Sequence, residues 1–572
     1  MAESGRGLAR ASMMKGETMY STQKQGRVAI DRRSLLGASA ALAVGGMLGL
    51  AGCSSSPKTD EGSAPDEGSA SGGEVAWDEE ADVVVVGSGT GAFSALAAAD
   101  AGAGSVVVLE KSEAWGGTSA VSGCTLYIPM LTVGMEEGSD DSVQAATAYL
   151  NKVAGNRGNK AGIDNYVKYA NEFATWLGDL MGWQWTAQGM FRDYYEPYEG
   201  YRFFGRNASI DSEEKVPMWS ELQNKCKELG VDIRLSAPAK ELVTDASGAV
   251  VGVVAEIGGK PVRIKANTCV VMATGGYDHN PQMILENQAV PVYVSNAAMT
   301  NTGDGQIMGA KVGAVWGNMD TNWGLPCFYG GSPEYTGELV YDFLTNDWGY
   351  YRGSAGAIVV NRQGRRFGDE SSAYGVFNRA FGQYDTDILD YTNIPAFFIC
   401  DDEYVSTMTL PGQAAVGDPL PDYFVQADTL QELAGKLGID PEGLVDEVAS
   451  FNEGAAVGAD PTFHRGEKEC NVVISAWRTA GRDLPNPVLA PLATPPFYGA
   501  VYVPGTCGTN GGLVTDENAC VLTAAHEPIP GLLAVGNCSA GIFGGQYPGA
   551  GATLGAGGIM GYIGVRNALG AL

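Results

Sequence analysis

The sequence predicts an α/β fold in which one parallel sheet is gathered from distant stretches of the chain. Three short apolar runs predict it, each ending in glycine. Val83-Val84-Val85-Val86 has the continuous hydrophobicity of a strand buried on both faces, and it enters Gly87-Ser88-Gly89-Thr90-Gly91-Ala92. A second run ends in Val271-Met272-Ala273-Thr274-Gly275-Gly276, and a third in Leu533-Ala534-Val535-Gly536-Asn537.

After the first glycine turn, Phe93 to Ala101 is rich in alanine and reads as a helix. Ser105 to Leu109 reads as a second strand, closed by Glu110. In such a strand–turn–helix–strand unit, Gly87, Gly89 and Ala92 let the backbone meet a pyrophosphate at a helix N-terminus. Glu110 is placed to accept from a ribose hydroxyl. This is the G-x-G-x-x-A form of the dinucleotide fingerprint, and it predicts a Rossmann-like domain split in sequence.

The segment after Glu110 favours FAD over NAD. Lys111 leads into Trp115-Gly116-Gly117-Thr118-Ser119-Ala120-Val121-Ser122-Gly123, a loop of small and hydroxyl residues suited to packing against phosphates and a flavin ring. Gly117, Thr118, Ser119, Ser122 and Gly123 therefore join the candidate cofactor residues. So do Ala273, Thr274, Gly275 and Asn537 at the two later strand ends.

A chain of 572 residues has room for two or three domains. Asp31-Arg32-Arg33-Ser34 precedes the apolar stretch Gly37 to Leu50, which closes in Leu50-Ala51-Gly52-Cys53. Residues 1–53 are expected to be a twin-arginine lipoprotein signal, with Cys53 lipidated and the protein held on the outer face of the cell membrane. The stretch is short and rich in Gly and Ala for a membrane span. Export in the folded state suits a protein that takes up FAD in the cytoplasm. Residues 54–77 read as a flexible linker, 78–290 as the first part of the FAD domain, 291–490 as an inserted α+β substrate domain, and 491–572 as the second FAD part.

The formal net charge of −30 argues against nucleic acid as a partner. It is compatible with an external electron donor or acceptor, from a quinone or cytochrome pool. Ten cysteines include no C-x-x-C, and there are only three histidines, so no metal site is expected.

Acid–base work must then fall to other groups. In Gln546-Tyr547-Pro548-Gly549-Ala550-Gly551, the phenol of Tyr547 can donate to a neutral carbonyl oxygen, and Gly551 leaves an amide free to approach the same oxygen. Phe191 to Tyr201 is an aromatic and acidic run broken by Pro197 and Gly200, read as a loop that could turn a phenol inward. Ala357 to Phe367 reads as a strand, a tight turn and a return strand leading to Tyr374.

The chain resembles the flavin-dependent 3-ketosteroid Δ1-dehydrogenases over about residues 78–570, within the wider fumarate reductase/succinate dehydrogenase flavoprotein superfamily. Carrying the resemblance are Gly87-Ser88-Gly89, Gly116 to Ala120, Asp193-Tyr194-Tyr195, Asn301 to Asp304, Glu370-Ser371 with Tyr374, Phe463 to Glu467, Gly511 to Asp516 and Tyr547-Pro548-Gly549-Ala550-Gly551. Fumarate reductases carry an arginine where Tyr547 stands and a histidine near Gly508-Thr509, which speaks against a dicarboxylate substrate. The sequence departs from the family at Ala550, often proline there, and at Gly555-Ala556-Gly557-Gly558.

The resemblance implies a small hydrophobic, steroid-like ketone as substrate. Tyr547 and the Gly551 amide would bind the C3 carbonyl, Tyr374 would take the adjacent proton with support from Tyr194, and hydride would be exchanged with flavin N5. Asp304 and Leu554 would join the FAD set. The expected activity is oxidation or reduction of a C=C bond conjugated to the ketone; the alternative is an exported reductase of another unsaturated acid.

Overall fold

The computed structural model describes residues 76–187, 192–210, 218–331, 334–342, 344–476, 479 and 482–572. Arg32, Arg33, Cys53, Phe191 and nearly all of the 54–77 linker lie outside the described residues. Among the described residues, no helix is long and apolar enough to cross a membrane.

The strand Glu79–Val86 lies at the centre of an eight-stranded sheet. It pairs in parallel with Val106–Leu109 on one side and with Lys260–Met272 on the other, and Pro528–Ala534 adds in parallel beyond. Val83, Val84 and Val85 are fully buried, as continuous apolar runs require when helices cover both faces. The helix Gly91–Asp100 packs against the C-terminal helix Ala552–Ala568, where glycines bring the two backbones close. A Cβ on Gly561 would lie 2.4 Å from Ser94 Oγ.

The remaining sheets are smaller. Ala357–Val360, Ala396–Asp401, Phe497–Val503 and Cys327–Phe328 pair antiparallel, joined by Val425–Ala427. Gly505–Thr509 pairs with Val294–Ser295 and Asn322–Gly324. No change of sheet marks the boundary expected at 490/491. Strands over 497–509 pair with those of the inserted region, and the chain rejoins the dinucleotide sheet only at Cys520–Leu522.

Two local expectations also differ. The loop at 115–123 contains one helical turn, Gly117–Ala120, entered through Gly116 in the left-handed region. The return strand after Ala357–Val360 shrinks to a single bridge between Val360 and Arg366. The Arg366 side chain enters a buried charge cluster. Its guanidinium meets Glu370 at 2.6 and 2.7 Å and Asp460 at 2.8 Å, and Arg465 reaches Glu370 at 3.4 Å and the Ala357 and Ser354 carbonyls at 2.8 Å.

Glu370 is thus the counter-ion of two buried guanidiniums. Glu370→Ala is expected to cost about 3–5 kcal/mol, the usual consequence of unpairing a buried charge. Thermal unfolding followed by far-UV circular dichroism should show a clear loss, and Glu370→Gln a smaller one.

Candidate active site

The helix Gly91–Asp100 begins at Thr90 without a side-chain cap and with no acidic residue in its first turn, so its positive end is uncompensated. Gly87 has φ +101°, and a Cβ there would stand 2.3 Å from the Ala273 carbonyl oxygen. Only glycine allows this strand end and that of Lys260–Met272 to converge.

Glu110 is buried and accepts from Ser88 N at 3.0 Å, Ser88 Oγ at 2.6 Å and Ser112 N at 2.8 Å. A carboxylate offers about four acceptor positions, which leaves one for a ribose hydroxyl. Trp219, unforeseen from sequence, donates to the Ser88 and Gly89 carbonyls at 3.3 Å and closes over the turn.

The other candidates divide. Lys111 pairs with Asp304 and the Thr302 hydroxyl, each at 2.7 Å, so two expected cofactor residues bind one another. Thr118 Oγ1 accepts from Ala298 N at 2.9 Å and from Asn301. The Ser122 hydroxyl is consumed by its own turn, donating to the Ser119 carbonyl at 2.7 Å. Ser119 lies beside Gly89, whereas Gly117 and Gly123 face open space. Thr274 and Gly275 follow the Ala273 strand end, Thr274 against Cys538. The Leu554 side chain is in the core, so only its backbone is available to a cofactor.

A narrow cleft runs from Ala534, Gly536 and Asn537 to Thr553 and Gly557 in the first turns of the C-terminal helix. Asn537 accepts from Trp323 Nε1 at 3.0 Å. An uncapped helix end, an acid with acceptor capacity to spare and glycines bordering open space together fit FAD. When bound, it supplies the hydride acceptor or donor.

Tyr194, Tyr374 and Tyr547 come together. Their ring centroids are 5.7 Å apart for 194–374, 5.9 Å for 194–547 and 5.7 Å for 374–547. Tyr194 and Tyr547 lie on segments joined by the Asp193–Gly549 bridge and by Tyr194 N donating to the Pro548 carbonyl at 3.0 Å. Tyr374 opens the short helix Tyr374–Phe377. The Arg352 guanidinium, buried beside Asp347, holds that turn by donating to the Ser372 carbonyl at 2.6 Å.

Trp348 packs edge-on against Tyr374 at 4.8 Å, and Trp323 lies 5.1 Å from Tyr547. Cys507 packs against the same cluster. None of these three was foreseen: their places come from sheet pairing between distant segments, which leaves no local signal.

The Tyr547 hydroxyl is in hydrogen-bond contact with Tyr374, with Thr553 and with the Gly551 amide. Burial pushes it up to about 12, so it stays protonated and able to donate. Burial also raises Tyr194 and Tyr374 well above the ordinary phenol range. The hydrogen bond between them lowers Tyr194 and raises Tyr374, so this contact favours the Tyr194 phenolate.

Glu110→Ala removes a charge-assisted acceptor from the nucleotide end. FAD affinity is expected to fall by about 1.5–3 kcal/mol with the fold intact. Flavin content after extensive dialysis, set against an unchanged far-UV spectrum, checks this.

The model of the family described as FAD binding domain matches residues 82–554. The chain is 32% identical to a 4-oxocyclohexanecarboxylate 2-dehydrogenase of Sinomonas cyclohexanicum, over 86% of this chain and 93% of that one. It is 31% identical to a 3-oxosteroid 1-dehydrogenase of Mycobacterium tuberculosis, over 85% and 97%. Among solved structures, the 3-ketosteroid Δ1-dehydrogenase of Sterolibacterium denitrificans in complex with 1,4-androstadiene-3,17-dione superposes with a TM-score of 0.76 at 27% identity, over 86% of this chain and all of that one. With a dinucleotide cradle at one end of the site and a cluster of phenols at the other, the chain belongs to the FAD binding domain family, as an FAD-dependent oxidoreductase acting on CH–CH bonds and similar to the 3-oxosteroid dehydrogenases.

Proposed function

We propose that this protein interconverts a ring ketone and its conjugated enone, with a 3-oxosteroid as substrate. The observation that carries the reading is the triangle of buried phenols, with the Gly551 amide converging on the Tyr547 hydroxyl. A ketone's α-proton is too weakly acidic to remove unless the developing oxyanion is stabilised, and two fixed donors supply that stabilisation.

In this reading Tyr547 Oη and Gly551 N hold the carbonyl oxygen. Tyr374 Oη accepts the α-proton as it hands its own proton to Tyr194, whose phenolate their hydrogen bond favours. Trp323, Trp348 and the three phenols offer a flat, neutral lining that suits a polycyclic ketone. Microscopic reversibility gives both directions the same residues. A second reading, a single-ring oxo acid, draws on the named activity of the Sinomonas relative and on exposed Arg379, whose charge reaches Tyr195 beside Tyr194.

The test is anaerobic. Oxidised flavoprotein is titrated with saturated 3-oxosteroids and with 4-oxocyclohexanecarboxylate, and dithionite-reduced flavoprotein with the matching enones. Bleaching or reoxidation by the steroid series supports the reading, and response to the oxo acid alone overturns the steroid assignment. Tyr547→Phe, which keeps the ring and loses the donor, is expected to lower turnover about 10²–10³-fold with a much smaller change in KM. Wild-type turnover in that variant would refute the carbonyl site.

We further propose export and a lipid anchor at Cys53, a placement supported by the Arg32-Arg33 and Leu50-Ala51-Gly52-Cys53 motifs. A quinone or cytochrome pool would then exchange electrons with the flavin. Cys53→Ser should release active enzyme from the membrane fraction; continued membrane association of that variant would sink the anchor.

A further inference from the structure

Tyr194 and Tyr547 lie more than 350 residues apart in sequence, and among the described residues their segments meet in a single backbone bridge, Asp193 with Gly549, which includes the hydrogen bond from Tyr194 N to Pro548 O. That is little to hold two side chains in register. The rest comes from Tyr149, on the helix Val143–Ala154.

The Tyr149 hydroxyl is fully buried. It donates to the Pro548 carbonyl at 2.6 Å and accepts from the amides of Tyr194 at 3.0 Å and Tyr195 at 3.3 Å. A phenol has one donor and two acceptor positions, and all three are spent on joining these two segments.

The ring of Tyr149 is held in turn by charge. The Arg206 guanidinium stands 5.4 Å from its centroid and bonds Asp193 at 2.7 Å and Asp141 at 2.9 Å. Asp193 directly precedes Tyr194, and it also accepts from Tyr127 Oη at 2.6 Å and Arg202 N at 2.9 Å. Asp141 directly precedes Ser142, whose side chain caps the helix that carries Tyr149. The contacts therefore close a ring from Tyr149 through its helix to Asp141, Arg206, Asp193, Tyr194 and back. Burying such charges does little for stability, since apolar replacements of equal volume are often as stable. A defined geometry is what the ring provides.

We propose that Tyr149 is a positioning residue whose hydroxyl sets the separation of Tyr194 and Tyr547, and so the placement of the carbonyl donor relative to the phenol that partners the proton acceptor Tyr374. The proposal rests on the catalytic roles of those two phenols under the ketone reading.

Tyr149→Phe keeps the ring and removes the hydroxyl. Expected are full flavin content, KM within about threefold of wild type and kcat lowered about 10–100-fold, the scale of an ångström-size misplacement. Combined with Tyr547→Phe, the same change should cost less than about threefold, because the donor being positioned is already gone. A merely structural role would remove the same fraction of activity in both backgrounds, and that result overturns the proposal. Wild-type kcat in Tyr149→Phe beside a crippled Tyr547→Phe overturns the positioning role alone. Wild-type kcat in Tyr547→Phe overturns the carbonyl site and this role with it. Should Tyr149→Phe be recovered without flavin, Asp193→Asn breaks the same ring at another point and is judged by the same criteria.

Discussion

Close packing of the C-terminal helix against the first βαβ unit and the segment Thr125 to Tyr127 is the constraint on which the rest of the site depends. Gly551, Gly555, Gly557 and Gly561 mark the contact: a Cβ at these positions would stand 2.4–2.6 Å from the Thr125 carbonyl, the Tyr127 carbonyl, Thr90 and Ser94. Any side chain there would push the helix away. At this distance its first turn borders the cleft beside Asn537, and the Gly551 amide, at φ +83°, reaches the Tyr547 hydroxyl. The departure from the family pattern at Gly555-Ala556-Gly557-Gly558 thus has a steric reason, because Gly555 and Gly557 are two of these contacts.

Both halves of the site share a device. A buried guanidinium–carboxylate cluster sits directly before a central tyrosine: Arg206 with Asp193 before Tyr194, and Arg366 with Glu370 a few residues before Tyr374. Burial pushes the Asp193 carboxyl up to about 6 against the pull of Arg206, a sign of what such a charge costs in the interior. Spending that energy twice beside the same three phenols fits a site where side-chain placement outweighs stability.

How much of this was legible in the sequence depends on the range of the causes. Gly87, Gly89 and Glu110 were readable because a strand–turn–helix–strand unit is local and its steric demands are written residue by residue. Tyr194, Tyr374 and Tyr547 could be gathered only through family resemblance, since no spacing rule joins positions so far apart. Lys111 and Asp304 were both assigned to the cofactor, and their mutual pairing depends on a fold-level approach that neither position signals. The return strand after Val360 is cut to one bridge, while the Arg366 side chain is taken up by Glu370, a pairing that no local pattern announces. Tyr149 carries no signal of its own, because the value of its hydroxyl depends on two other segments meeting there.

The same burial that keeps the Tyr547 phenol protonated also defines what it can bind. A neutral hydroxyl held among Trp323, Trp348 and other phenols offers a strong hydrogen bond in a medium with little competing water. It offers no countercharge. A dianion placed against it would lose its hydration without compensation, at a cost far above what one or two neutral donors return. A ketone enters nearly free of that cost and develops negative charge on oxygen only as its α-proton leaves, when the donors are already in place. Tyrosine at position 547 therefore favours substrates that are neutral when they bind at the reacting end.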